Sequence, residues 1–308
     1  MTAKNNTRGD KLICAASMFT DQDSQTNGLL LAESLRAFAG EFSKAPLWYF
    51  IPEDGINLTA AIERRLRALN VQLVRVNIEP EILRTPLGAE ACLAAQAELT
   101  LESEASYLAW LGLNSIVLQA PVDFLLPEGK QVGVRPVHHT LIGSRFDQPL
   151  DAFWELVYDS CHVPRQHIFP MITHVDAIVI RPYFNAGQLV VRPEEGLLRA
   201  WRRAFVDIYW QSAMQAFYRK EPLYKIFVHQ ALLTGVILAK YAPNQIHILP
   251  PTYNYPLHLY TEDISGTRPD QLDDLVTFRH EGFYRDPDWS IKMPAQETLK
   301  HWLAERLA

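Results

Sequence analysis

Short apolar runs alternate with longer stretches of helical period through the first 120 residues. Lys11 to Ser17 (K-L-I-C-A-A-S) is continuously apolar, the pattern of a strand buried on both faces. A polar loop, Met18 to Thr26, separates it from Asn27 to Phe42. There Leu30, Leu31, Leu35 and Phe38 recur at helical spacing, behind Thr26 or Asn27 as N-cap. Pro46 to Ile51 predicts a second strand, ended by the turn sequence Pro52-Glu53-Asp54-Gly55. Leu58 to Leu69 predicts a helix, Val71 to Val76 a third strand, and the Ala-rich stretch Pro86 to Leu101 another helix. Tyr107 to Gly112 and Ser115 to Leu118 predict strands with a break between them. This alternation predicts an α/β class fold with a doubly wound sheet flanked by helices. Such sheets bind ligands beyond the carboxyl ends of their strands, so the loops after Ala16, Ile51 and Gly112 are expected near any site.

The second half is less regular. Val132 to Val137 and Ala177 to Val191 predict strands, as do the shorter Ile246 to Leu249 and Leu275 to Arg279. Leu150 to Tyr158, Glu194 to Phe217, Pro222 to Tyr241 and Pro294 to Leu307 predict helices. No repeat and no linker divides the chain.

Composition narrows the classes. With 308 residues, 48% of them hydrophobic, the chain can bury one large core. No apolar run reaches the roughly 18 to 20 residues of a membrane span. Met1 to Asp10 is polar and predicts a disordered tail, leaving 11–308 as a single domain. A net charge of −6 argues against a nucleic-acid-binding surface. The three cysteines, Cys14, Cys92 and Cys161, have no metal spacing and predict small core thiols in a reducing, cytoplasmic setting. The ten histidines show no H-x₃-H or H-E-x-x-H spacing.

The most informative stretch is Tyr183-Phe184-Asn185-Ala186-Gly187-Gln188-Leu189-Val190-Val191-Arg192-Pro193, followed by a helix with Trp201 and Phe205 on its apolar side. An apolar strand, Ala177 to Ile180, runs into an Asn-Ala-Gly corner, and a second apolar strand leaves it. Glycine lets a ligand approach the backbone closely, and Asn185 adds donors and an acceptor. The same residues also suit a plain hairpin turn. The pattern resembles the F-N-[ST/A]-G segment of nucleotide-sugar glycosyltransferases of the GT-A type, close to family 8. Val134-Arg135-Pro136-Val137, Val228-His229-Gln230-Ala231-Leu232, Leu249-Pro250-Pro251-Thr252-Tyr253-Asn254 and Phe278-Arg279-His280-Glu281-Gly282 resemble further segments of that family, in its order.

The resemblance implies a Rossmann-like GT-A domain, with 11–120 as the nucleotide-binding half and 121–308 as the acceptor-side half. The family holds Mg²⁺ or Mn²⁺ with a D-x-D pair and a late histidine, because hard cations take oxygen ligands and neutralise the departing diphosphate. Here the two carboxylate positions read Gly112 and Asn114, and only His280 corresponds. No cofactor is therefore expected, and Mg²⁺ or Mn²⁺ would need non-standard ligands such as Asp286 and Asp288. The resemblance assigns the nucleotide and donor to Ala15, Ala16, Asp21, Asn114, Asn185, Ala186, Gly187 and His280, and the acceptor side to His138 and His139. His229 stands where the family has Asp. With Gln230 it would sit beside the donor sugar.

Cationic side chains can replace a metal at a leaving diphosphate. Arg135 and Arg181 are the first candidates for this, with Lys225 and Arg279 after them, so that Arg135, His229 and Gln230 form the expected catalytic set. The implied ligand is a UDP- or GDP-type nucleotide sugar. The alternative is an inactive GT-A-like protein that recognises a peptide or protein partner through aromatic residues such as Trp48, Tyr49, Tyr183, Tyr253, Tyr255, Tyr260, Phe283 and Tyr284. A nucleotidyltransferase would require a Gly-rich phosphate loop and paired carboxylates, which the sequence lacks.

Overall fold

The computed structural model describes residues 11–19, 21–53 and 58–307. The expected tail lies outside them, as does the Asp54-Gly55 part of the expected turn. Strand β1 (Leu12–Ser17) leads into helix α1 (Gln22–Phe38). β2 (Leu47–Pro52), α2 (Ala60–Ala68) and β3 (Val71–Val76) follow, then α3 (Pro80–Leu83), α4 (Gly88–Leu101), β4 (Tyr107–Leu111) and β5 (Ser115–Val117). Beyond them come β6 (Val132–Pro136), α5 (Ala152–Ser160), β7 (Met171–Ile172), β8 (Val179–Ile180), β9 (Phe184–Val191), α6 (Leu197–Ile208), α7 (Ser212–Lys220) and α8 (Pro222–Lys240). β10 (Ile246–Ile248), β11 (Tyr255–Pro256), β12 (Thr277–Arg279), α9 (Trp289–Lys292) and α10 (Glu297–Leu307) complete the order.

The doubly wound sheet is present. Its seven strands run in the order β10-β6-β9-β4-β1-β2-β3. β1, β2, β3 and β4 are parallel, while β9 is antiparallel to both of its neighbours. The period-two alternation of β1 divides the core. Ile13 and Ala15 pack with α4 on one face, and Leu12, Cys14 and Ala16 pack with α1 on the other. A small sheet, β11-β12-β5, is covered by α10 through Leu299 and Leu303.

Two predicted helices differ markedly from the observed ones. α1 begins at Gln22 rather than Asn27, because Asp21 caps it by accepting from the Ser24 N–H at 2.9 Å. The helix expected over Glu194 to Phe217 is broken at Tyr209–Gln211 into α6 and α7. α8 is long and apolar enough, by length and composition, to span a membrane, which the sequence reading did not anticipate. It lies within the core instead, buried from Val228 to Leu238. Four of the aromatics considered for a recognition surface, Tyr49, Tyr183, Tyr253 and Tyr255, are fully buried.

Candidate functional site

Strand register builds the cleft. β1 and β4 are parallel with Ala16 beside Leu111, so Ser17 and Gly112 follow side by side at their carboxyl ends. β9 runs antiparallel with Gln188 beside Leu111, which brings Gly187 to Gly112. The Gly112 N–H donates to the Gly187 carbonyl at 2.6 Å. This approach depends on glycine. A Cβ on Gly112 would lie 3.2 Å from that carbonyl oxygen, and one on Gly187 would lie 2.8 Å from Arg279 Nη1.

The expected corner at Asn185-Ala186-Gly187 is a bulge inside β9. Leu189 pairs with Val134 and Phe184 with Pro136, so β9 uses more residues than β6 over the same span. Side chains satisfy the backbone groups that the bulge removes from the ladder. Asn185 Oδ1 accepts from the Gly187 N–H at 2.8 Å, and Gln230 Oε1 accepts from the Ala186 N–H at 2.9 Å. One helical turn after Gln230, Thr234 Oγ1 accepts from the Phe184 N–H at 2.9 Å. α8 thus pins the bulge along one face.

The resulting cavity measures about 240 Å³. Its walls are Ser17, Phe19, Ser24, Asn27, Leu87, Glu90, Trp110, Gly112, Leu113, Asn114, Ala186, Gly187, Phe227, His229, Gln230 and Arg279. A second cavity of about 350 Å³ adjoins it. The two share Phe227, Gln230 and Arg279, and the second also contains His138, His139, Tyr183, Asn185, His258 and Glu281.

At 14% sequence identity, the chain is similar in fold to the galactosyltransferase LgtC in complex with donor and acceptor sugar analogs. The TM-score is 0.50, and the match covers 96% of this chain and 94% of that one. The fold is of the GT-A type. An active-site variant of LgtC has a TM-score of 0.48 at 16% identity, covering 89% of this chain and 90% of its own. Mouse xyloside xylosyltransferase 1, apo form, has a TM-score of 0.48 at 14% identity, covering 88% and 98%. No family model and no curated protein matches the sequence.

Within this GT-A frame, Arg279 is the charged centre. Its guanidinium lies between the two cavities, with Nε 3.2 Å from Glu281 Oε1. Burial, and then the charge of Arg279, lowers the basicity of the imidazoles around it. His138 is held well below its ordinary value, His229 falls to about 4 and His280 to about 3. These rings are therefore neutral, and their tautomers follow from their partners. His229 Nδ1 donates to the Ile226 carbonyl at 3.0 Å, leaving Nε2 as an acceptor. His280 is the reverse, since its Nδ1 accepts from the Gly282 N–H at 3.2 Å and the proton resides on a buried Nε2 that has no partner among the described residues.

That geometry bears on the positions that the sequence resemblance assigns to a metal ion. Neither nitrogen of His280 has a free lone pair, Gly112 has no side chain, and the Asn114 amide donates to Glu281 Oε1 at 3.2 Å. Among the described residues, no three His, Cys, Asp or Glu side chains converge on a point where they could hold an ion. Asp286 and Asp288 lie by Lys292 Nζ, at 2.6 and 3.9 Å.

Of the residues expected at the nucleotide and donor, Asn114, Ala186 and Gly187 line the first cavity together with His229 and Gln230. His138 and His139 line the second, and Asn185 lines it too rather than the first. Ala15 and Ala16 are buried core residues outside the cleft, and Ser17 takes their place. Asp21 caps α1, and Ser24 and Asn27 of the following turns reach the cleft instead. His280 is wholly buried, and its backbone N–H donates to the Asn114 carbonyl at 2.9 Å.

Arg135 requires the largest correction. It is buried, bonded to the Leu249 carbonyl at 2.7 Å and to His174 Nδ1, and it lines neither cavity. Arg181 is likewise tied to loop carbonyls, Gln148 O at 2.8 Å among them, and Lys225 is exposed. Ser17 and Glu90 were not anticipated. Glu90 had a signal: it is a carboxylate in the first turn of a helix that is apolar on nearly every side.

Proposed function

We propose that the chain is a glycosyltransferase of the family 8 kind, using a UDP- or GDP-sugar donor and stabilising the leaving diphosphate with Arg279 instead of a divalent ion. The observation that carries this reading is the placement of Arg279. It is a permanent cation, it lies against Gly187 beside Gly112 and Asn114, and it is shared by two adjoining cavities. Transfer breaks the bond between the anomeric carbon and the diphosphate oxygen while the oxygen of an acceptor hydroxyl bonds to that carbon, and the hydroxyl's proton passes to the departing diphosphate. Negative charge grows on the diphosphate, and a preorganised guanidinium stabilises it there. The donor occupies the first cavity, where His229 Nε2 accepts from a sugar hydroxyl. The acceptor enters past His138 and His139, and the reacting atoms meet at the shared wall formed by Gln230 and Arg279.

Calorimetry with UDP and GDP, each with and without Mn²⁺, tests donor binding, and chromatographic detection of slow donor hydrolysis tests turnover. Binding without the ion, together with hydrolysis that Arg279→Ala abolishes, is expected. Nucleotide-sugar capture with no turnover by the parent protein would favour a binding protein. Failure of both UDP and GDP to bind would overturn the proposal.

A further inference from the structure

α4 is buried between the sheet and α6, and it carries two glutamates among alanines and leucines. A carboxylate in such a place needs compensation. Glu98 has it in full. It accepts from the N–H groups of Leu198 and Arg199, both at 2.9 Å, and from Arg199 Nε at 3.1 Å. Glu90 does not. Its one hydrogen bond among the described residues comes from Ser17 Oγ to Oε1, at 2.6 Å. The second oxygen has no donor among those residues, and the side chain forms part of the cavity wall. Burial pushes this carboxyl above its ordinary range, and the nearby charge of Arg279 only partly opposes that.

The position of Glu90 indicates which part of a ligand it would meet. α4 and α1 cover opposite faces of the sheet, so Glu90 enters the cavity from the side away from Ser24 and Asn27. Gly88 lies against the Phe205 ring, and Trp201, one turn before Phe205, donates to the His229 carbonyl at 2.7 Å. Glu90, His229 and Gln230 line the same cavity, and Gln230 also lines the second one.

We propose that Glu90 is a specificity-determining residue that accepts a hydrogen bond from a ring hydroxyl of the donor's sugar and so selects neutral pyranoses over uronic acids. The inference rests on the donor-cleft reading above. A hydroxyl supplies the donor that the second oxygen lacks. The carboxylate of a uronic acid supplies none and adds a like charge beside a half-buried acid.

Calorimetry on the full chain with UDP, UDP-glucose, UDP-galactose, UDP-glucuronic acid, GDP and GDP-mannose provides the test. At least one neutral sugar donor should bind at least about tenfold tighter than its bare nucleotide, a gain in the range of a hydrogen bond to a charged group. UDP-glucuronic acid should show no such gain. Glu90→Ala should erase the gain while leaving UDP and GDP affinity unchanged. Glu90→Gln keeps an acceptor oxygen without the charge, so it should preserve the gain and admit UDP-glucuronic acid. If Glu90→Ala does not fold, that relaxed discrimination in Glu90→Gln decides the matter. A gain that survives in Glu90→Ala, an equal loss for nucleotide and nucleotide sugar, or unaltered discrimination in Glu90→Gln would overturn the role of Glu90 and leave the donor-cleft reading standing. Absence of any binding by the parent would overturn both.

Discussion

Arg135 and Arg279 sit at the ends of two strands, β6 and β12, in segments that look equally suited to a ligand, yet the fold treats them in opposite ways. Arg135 is surrounded by protein, and its donors go to the Leu249 carbonyl and His174. Burial lowers its pKa to about 10. Arg279 has one ion pair among the described residues, with Glu281, and opens onto two cavities. The difference shows that a cation serves a ligand only where the fold has left its donors uncommitted. A cation whose donors are committed serves as a brace.

The sharpest way to break this comparison is to remove each arginine in turn. Arg279→Ala should lower donor turnover by about 10² to 10³, the usual worth of one charged donor at a leaving group. The melting temperature should change little, because its one ion pair is partly exposed and contributes at most about 1 kcal/mol. Arg135→Ala should do the converse, costing about 1 to 3 kcal/mol for each buried acceptor, the Leu249 carbonyl and His174 Nδ1, left without its donor, with turnover retained in the folded fraction. Thermal unfolding and donor hydrolysis, measured on both variants, would reverse the comparison if the effects were exchanged.

The neutral imidazoles on both sides give a pH dependence of the next size. His174 and His229 have folded pKa values of about 4 and His280 of about 3, depressed first by burial and then by Arg135 beside His174 and Arg279 beside the other two. The unfolded chain takes up these protons near pH 6.5 and the folded one does not. Stability is therefore complete above that pH and is lost as pH falls from about 6.5 toward 4, by up to about 1.4 kcal/mol per pH unit for each group. A melting temperature that stays level between pH 7 and pH 5 would show that these rings are already charged in the folded protein.

Gly187→Val probes the space against Arg279. The added side chain would meet Nη1 where a bare Cβ already stands 2.8 Å away. Displacing the guanidinium should weaken UDP or GDP binding by about 1.5 to 3 kcal/mol, the worth of a hydrogen bond to a charged group, and unchanged binding would place the nucleotide elsewhere. The smallest effect is expected from Mn²⁺. Its addition should alter nucleotide affinity by less than about twofold, since a neutral imidazole and an amide offer a hard cation little. A tenfold gain would return attention to Asp286 and Asp288.

The regular first half was legible in the sequence because β1 and β2 are apolar runs, β3 is a short Val-rich one interrupted by Gln72 and Arg75, and stretches of helical period separate them. The start of α1 was obscured because Gln22 to Thr26 is polar and reads as loop until Asp21 is seen capping it. Gly112 and Gly187 were legible because glycine marks a close backbone approach. The roles of Asn185 and Arg135 were not, since sequence states which donors a side chain carries and not where the fold engages them. Asn185 is engaged by the bulge and Arg135 by Leu249 and His174. Ser17 and Glu90 depend on register and on helix packing between distant segments, and local pattern carries neither.

Strand β9 also sets the order in which the protein can be completed during synthesis. β4 can pair with β1 as soon as residues 107–111 are made, but its other edge has no partner until residues 184–191 arrive. β6 and β10 reach the rest of the sheet only through β9. While the ribosome makes the intervening chain, at roughly 5 to 20 residues per second, the apolar edge Tyr107-Leu108-Ala109-Trp110-Leu111 is open to other chains. Nascent chains halted before Phe184 should therefore be the species that chaperones hold and that aggregate when released. β9 acts as the closing strand of the sheet, so the cleft at Gly187 is assembled in the same step that protects this edge.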